Sequence, residues 1–232
     1  MVDFTGGTWR SLIDGSEVLT TPDGVLDNFE PADGDPSGPY DDGDNLETYY
    51  TIHTGDFERS DSDPIKDDFS LSRTETAGGD GSFIISRPGD GLPTYPDPGE
   101  SVSAIIDGPD QFPGLIAGCP DTDQVDGYVL LIRDGDIRFR RYDNGSATTL
   151  ATSSDSISDF PVEGVVKPPG EGDDNVQASV YELDDNLERD GQVVSFDETD
   201  DTYDGERGFG GFCGSGVDTG VFADEFRYGR SI

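Results

Sequence analysis

The stretch GYVLLIRDGDIRFRRY, residues 127–142, decides the fold class. Two runs of aliphatic, β-branched and aromatic residues flank Asp134 and Gly135, a pair that favours a type I′ hairpin turn. A two-residue loop fixes the register: Ile132 faces Ile137, Leu130 faces Phe139, and Tyr128 faces Arg141. Side chains alternate across a strand, so these residues share one mostly apolar face, which must point into a core. The other face carries Val129, Leu131, Arg133, Arg138 and Arg140. With Arg141 added, four of the 12 Arg fall within nine residues, and the chain has no second cationic concentration.

Outward from this hairpin the pattern repeats. Short apolar segments at 25–30, 48–54, 68–73, 81–87, 101–106, 114–118, 149–152, 177–183, 192–196, 208–212 and 221–228 are separated by Asp, Gly, Pro, Ser and Asn. Helical periodicity is missing, apart from one turn's worth near 184–187. Many short strands with frequent turn signals predict an all-β, two-sheet antiparallel sandwich. Leu, Ile, Val and Phe total 52 of 232 residues. That exceeds the roughly 20% below which a core fails, so the chain folds despite its charge.

That charge is extreme: 51 acidic against 14 basic residues, a net −37. A nucleic-acid binder needs a basic footprint and a binder of anionic lipid a polybasic patch. Neither is present, so nucleic acid and membrane insertion are excluded as partners. The acids are 38 Asp and 13 Glu, scattered along the chain, and only two of the cations, Lys66 and Lys167, are lysines. Short, strongly hydrated Asp in place of Lys resembles the proteins of salt-in halophiles such as haloarchaea. In molar salt the Debye length is about 3 Å, which screens the self-repulsion such a chain would suffer at low salt.

The N-terminus shows no charged segment followed by an apolar run, so a secretory leader is not expected. Cys119 and Cys213 belong to no C-x-x-C motif, and the lone His53 cannot complete a zinc site. His53 sits in an alternating segment without a nucleophile elbow and reads as an ordinary strand residue.

The order of segments is similar to the concanavalin A-like (LamG-like) jelly roll. An opening strand reads VLDNFE (25–30) and a central one GLIAG (114–118). GYVLLI (127–132) follows, then GFGGF (208–212) and the closing VFADEFRY (221–228). The resemblance covers 24–232 and leaves 1–23 as an N-terminal extension. It implies two antiparallel sheets with the first and last strands paired. It also implies a ligand on a concave face, or at a rim with calcium. The family's sugar-facing Trp residues have no counterpart after Trp9. The resemblance also places the strands ending before Cys119 and Cys213 as neighbours, so a disulfide between them is expected.

Some jelly-roll enzymes carry paired carboxylates on one strand. The nearest stretch here, Glu182 to Glu188, is one residue too long and contains a turn signal at Asp185 and Asn186. A glycoside hydrolase is therefore the weakest reading, and no catalytic residue is expected. Asp121, Asp123 and Asp126, in a turn between two core strands, are the candidate calcium ligands, since calcium takes clustered hard oxygens. Arg133, Arg138 and Arg140 either pair with neighbouring Asp or line a groove for an acidic glycan, through bidentate carboxylate or sulfate contacts.

Residues 1–23 hold the chain's only Trp and a concentration of apolar side chains. Phe4, Trp9, Leu12 and Ile13 are expected to bury against other virion proteins or a second copy of the chain, as anchor aromatics do. A surface-recognition fold without a leader points to a structural or attachment protein of a haloarchaeal virus. It would be a turret, decoration or tail module, oligomeric, with a host surface glycan as ligand. The alternative is a cellular carbohydrate-binding or adhesion module at the cell surface.

Overall fold

The computed structural model describes residues 25–27, 46, 50–61, 64–65, 70–75, 82–86, 97–108, 112–120, 125–205, 209–214, 219–229 and 231–232. The expected assembly segment, with Phe4, Trp9, Leu12 and Ile13, lies outside these residues, as do Asp121 and Asp123.

Two antiparallel sheets form a sandwich. The first contains β1 (Val25–Asp27), β3 (Asp56–Ser60), β4 (Ser70–Glu75), β6 (Val102–Ile106), β11 (Val162–Lys167), β12 (Asn175–Leu183), β13 (Arg189–Thr199) and β15 (Gly220–Tyr228). Its order is β13-β12-β11-β6-β15-β4-β3, with β1 also paired to β15. The second contains β2 (Tyr50–Thr54), β5 (Ser82–Ser86), β7 (Pro113–Cys119), β8 (Gly127–Leu131), β9 (Ile137–Asp143), β10 (Ser146–Ser153) and β14 (Phe209–Gly214), in the order β10-β9-β8-β7-β14-β5-β2. The first and last strands do pair, with Val25 opposite Arg227.

The 127–142 hairpin has the register its loop length dictates: Tyr128 pairs with Arg141 and Leu130 with Phe139. The turn is of a different type. Asp136 N donates to Arg133 O at 3.0 Å, and of the two central residues only Gly135 has a positive φ, 67°. Type I′ needs both. Asp134 is held instead by the next loop, where its Oδ1 accepts from Ile157 N at 2.9 Å. That tertiary bond overrides the local preference of the pair.

Two strands escape the sequence pattern. β3 (DFERS) is a charged edge strand with one buried apolar residue, Phe57. β11 (VEGVVK) is compressed between Pro161 and the pair Pro168, Pro169, which reads locally as loop. Yet β11 lies between β6 and β12 in the larger sheet.

The core forms where the inner faces meet. Leu115, Tyr128, Leu130 and Phe139 from the seven-stranded sheet meet Val102, Val162, Phe196 and Phe226 from the other. Rings interlock across the sandwich. Phe212 of β14 lies 5.2 Å from Phe226 and 6.0 Å from Phe222 of β15, and Phe139 stacks on Phe196 at 6.1 Å and 11°. Such pairs add about 0.5–1.5 kcal/mol each beyond the area they bury. At Gly114 a Cβ would sit 1.9 Å from the Leu130 carbonyl oxygen, so only glycine lets β7 and β8 approach this closely.

A second apolar cluster, Phe112, Ile116, Cys119, Val129, Leu131, Tyr142 and Cys213, occupies the opposite face of the seven-stranded sheet. It includes both cysteines, and they are free thiols rather than the expected disulfide. β7 and β14 are neighbours, but the register sets Cys213 opposite Gly114 and Cys119 opposite Phe209. Four residues of β14, on the order of 13 Å, separate the two positions. A disulfide tolerates about 7 Å between Cα atoms. Burial pushes both thiols well above their ordinary range, Cys119 further raised by the nearby Asp126 carboxylate.

Candidate functional site

The arginine face separates into two kinds of residue. Asp136 accepts from Arg138 Nε at 2.7 Å and from an Arg138 terminal nitrogen at 2.5 Å, and from Arg133 at 2.7 Å. Both guanidinium carbons stand over the Phe112 ring, 4.7 Å from its centroid for Arg133 and 4.9 Å for Arg138. The hydrogen bond from Arg138, reinforced by both positive charges, holds the Asp136 carboxyl below its ordinary range. These two arginines are therefore structural clamps. Arg140 differs. Among the described residues it has no ion-pair partner, and its Nε is sealed from solvent without an acceptor. Val129 and Thr149 lie directly opposite it on the flanking strands.

Arg141, on the core face of the same strand, closes one end of the sandwich. It donates to Asp200 at 2.5 Å and to Thr202 Oγ1 at 2.7 Å, while Tyr128 Oη donates to Asp200 Oδ1 at 2.9 Å. Burial alone would raise the Asp200 pKa, but hydrogen bonds from Thr202 and Tyr128 and the charge of Arg141 hold it low. Burial and the bond to Asp200 push the Tyr128 phenol the other way, to a higher pKa.

A concave feature lies on the other sheet. An open pocket of about 540 Å³ is lined by Gly99, Glu100, Ser101, Lys167, Gln177, Gly229, Ser231 and Ile232. Lys167 and Gln177 are directly opposed on β11 and β12, and their inward neighbours Val166, Val176 and Ala178 belong to the core. Both side chains therefore point outward into the pocket. One wall is the 97–100 turn, fixed by Glu100 N donating to Asp97 O and Asp97 N donating to Glu100 Oε2, each 2.9 Å. Gly99, at φ 79°, abuts Gly170, and an added Cβ would stand 2.9 Å from the Gly170 Cα. The segment after β15 forms the opposite wall. Gly229 N donates to Ser101 O at 2.9 Å, and Ser231 O accepts from Arg189 at 2.8 Å. Arg189 is itself fixed by Glu163 at 2.5 Å and by the Tyr181 ring at 3.9 Å. Among the described residues Lys167 has no ion-pair partner.

Sequence reasoning missed this pocket, whose residues come from four separate segments. Lys167 was the one available signal, as one of two lysines in the chain. Of the candidate calcium ligands, Asp126 is described, and its Oδ1 accepts from Asn144 N at 2.5 Å. Among the described residues no group of three His, Cys, Asp or Glu could hold a metal ion. The Glu182–Glu188 stretch runs from the end of β12 into a turn, with Asp184 Oδ1 accepting from the backbone of Asn186 and Glu188. Its carboxylates do not share one strand face. His53 lies on β2, at the edge of its sheet.

No protein-family model matches the chain, and no curated protein matches it. Solved structures do. The carbohydrate-binding module CBM66 from Bacillus subtilis aligns with 78% of this chain and 95% of its own, at 16% identity and a TM-score of 0.52. The likeness is one of fold. The exoplasmic/lumenal domain of VIP36, solved with Ca2+ and Man3GlcNAc, aligns with 82% of this chain and 91% of its own, at 12% identity and a TM-score of 0.46. A protein of unknown function from Shewanella oneidensis aligns at 12% identity and a TM-score of 0.49, over 78% of this chain and 77% of its own.

Proposed function

We propose that the chain is a non-catalytic carbohydrate-binding module that takes its glycan in the pocket between Lys167, Gln177 and the 97–101 and 229–232 segments. The observation that carries this reading is the lining. Lys167 and Gln177 offer donors, and Glu100 and Gln177 offer acceptors, around one open concavity. A saccharide presents adjacent hydroxyls that each donate and accept, so it needs this mixture. The sandwich shared with a carbohydrate-binding module supports the same reading. The experiment is affinity electrophoresis or calorimetry in molar KCl against soluble β-glucan, fructan, chitooligosaccharide, mannan and polyuronate. Saturable binding to one class, lost in Lys167→Ala and Gln177→Ala, supports the proposal. Binding unchanged in both variants places the glycan elsewhere.

The finer reading, an attachment or decoration module of a haloarchaeal virion, rests on the charge balance and on the apolar 1–23 segment. It is tested by deleting 1–22 and measuring assembly by light scattering at high salt. Loss of the oligomer with the domain still folded supports it. Loss of stability with unchanged oligomer mass contradicts it.

A further inference from the structure

We propose that Arg140 anchors an oxyanion site on the outer face of the seven-stranded sheet, for a ligand bearing a carboxylate or sulfate group. The site is separate from the glycan pocket, which lies on the other sheet.

Three observations converge. The chain carries 51 carboxylates, yet among the described residues none pairs with Arg140. The arginine two positions away shows what the local structure does when a guanidinium is needed for stability. Arg138 receives a bidentate carboxylate from Asp136 and a ring beneath it, whereas Arg140 receives neither. Second, its Nε is buried without an acceptor. Arg140 as a whole is only half-buried and its terminal nitrogens are not sealed off, so they are open to an acceptor from outside the protein. Third, the surroundings suit an anion. Thr149, directly opposite Arg140 on β10, shares its face and brings a hydroxyl donor. Val129, opposite on β8, is fully buried and supplies an apolar floor. A planar guanidinium recognises carboxylate and sulfate through two parallel hydrogen bonds, which a spherical chloride cannot accept. The site therefore remains selective in concentrated chloride.

The test follows the arginine Nε–H signals by 15N NMR at fixed high ionic strength, as sodium sulfate or sodium glucuronate replaces sodium chloride stepwise. The expected result is a saturable shift of the Arg140 signal with at least one of the two anions, which also tells sulfate from carboxylate recognition. Arg140→Ala and Arg140→Lys abolish the saturable response in neighbouring backbone amides, or weaken it about tenfold or more. Arg133→Ala leaves it in place. Backbone spectra of each variant establish that it is folded. Linear, non-saturating shifts with both anions overturn the proposal. So does an undiminished response in Arg140→Lys, because charge without the planar fork would then suffice. Glycan binding in the Lys167 pocket is unaffected by Arg140→Ala, so the two proposals fail separately.

Discussion

Arg138 and Arg140 stand two residues apart on one face of β9, yet only Arg138 is held by a carboxylate, Asp136, through two hydrogen bonds of 2.7 and 2.5 Å. Equivalent positions in the alternation thus have different work. Arg138 ties the strand to its own turn, and Arg140 has no ion-pair partner among the described residues. In a chain at −37, an arginine without an ion-pair partner among the described residues stands out, and it motivates the anion site proposed above.

The net charge of −37 predicts that salt controls the fold. In about 1 M salt the Debye length is about 3 Å, and at 0.1 M about 10 Å, so desalting restores repulsion among carboxylates throughout the chain. Circular dichroism and tyrosine and tryptophan fluorescence across a KCl series should show loss of tertiary structure toward 0.1 M. An unchanged spectrum at low salt contradicts the halophilic reading.

The ring stack between Phe139 and Phe196 joins the two sheets near β9 and β13. Phe139 is fully buried. Phe139→Ala should cost about 3–5 kcal/mol in denaturant unfolding at high salt, whereas Phe139→Leu should cost much less. Similar small losses for both would mean that the stack is not part of the core.

Acid should weaken the Asp200 network. The folded-state pKa of Asp200 is depressed, so its contribution is fully present above the unfolded value, about 3.9. It is lost as pH falls through the lower folded value. Stability should therefore begin to fall as pH drops below about 4. Asp200→Asn should flatten that decline and lower stability at neutral pH by about 1–3 kcal/mol. An identical acid profile in the variant would remove Asp200 from the account.

Much of the fold was legible because strand alternation and turn residues are local. The 127–142 hairpin carries its register in its loop length, and the pairing of β1 with β15 was implied by the resemblance to the jelly roll. What was not legible depends on distant partners. The turn at 134–135 changed type because Ile157, 23 residues away, takes the Asp134 carboxylate. The cysteines sit on neighbouring strands, but register, which composition does not encode, puts Gly114 opposite Cys213. The pocket was invisible because Ser101, Lys167, Gln177 and Gly229 meet only once β12, β11, β6 and β15 have paired in the eight-stranded sheet. β11 was hidden by the prolines that bound it.

Glycan recognition is tested most directly by calorimetric titration of the full chain in molar KCl with the saccharide panel, repeated on Gln177→Ala, whose side chain faces the pocket from the sheet. The account predicts saturable binding of one saccharide class, weakened at least about tenfold in the variant, as losing a ligand hydrogen bond implies, with an unchanged melting temperature. No binding across the panel by the folded chain, or equal binding by wild type and Gln177→Ala, would contradict it.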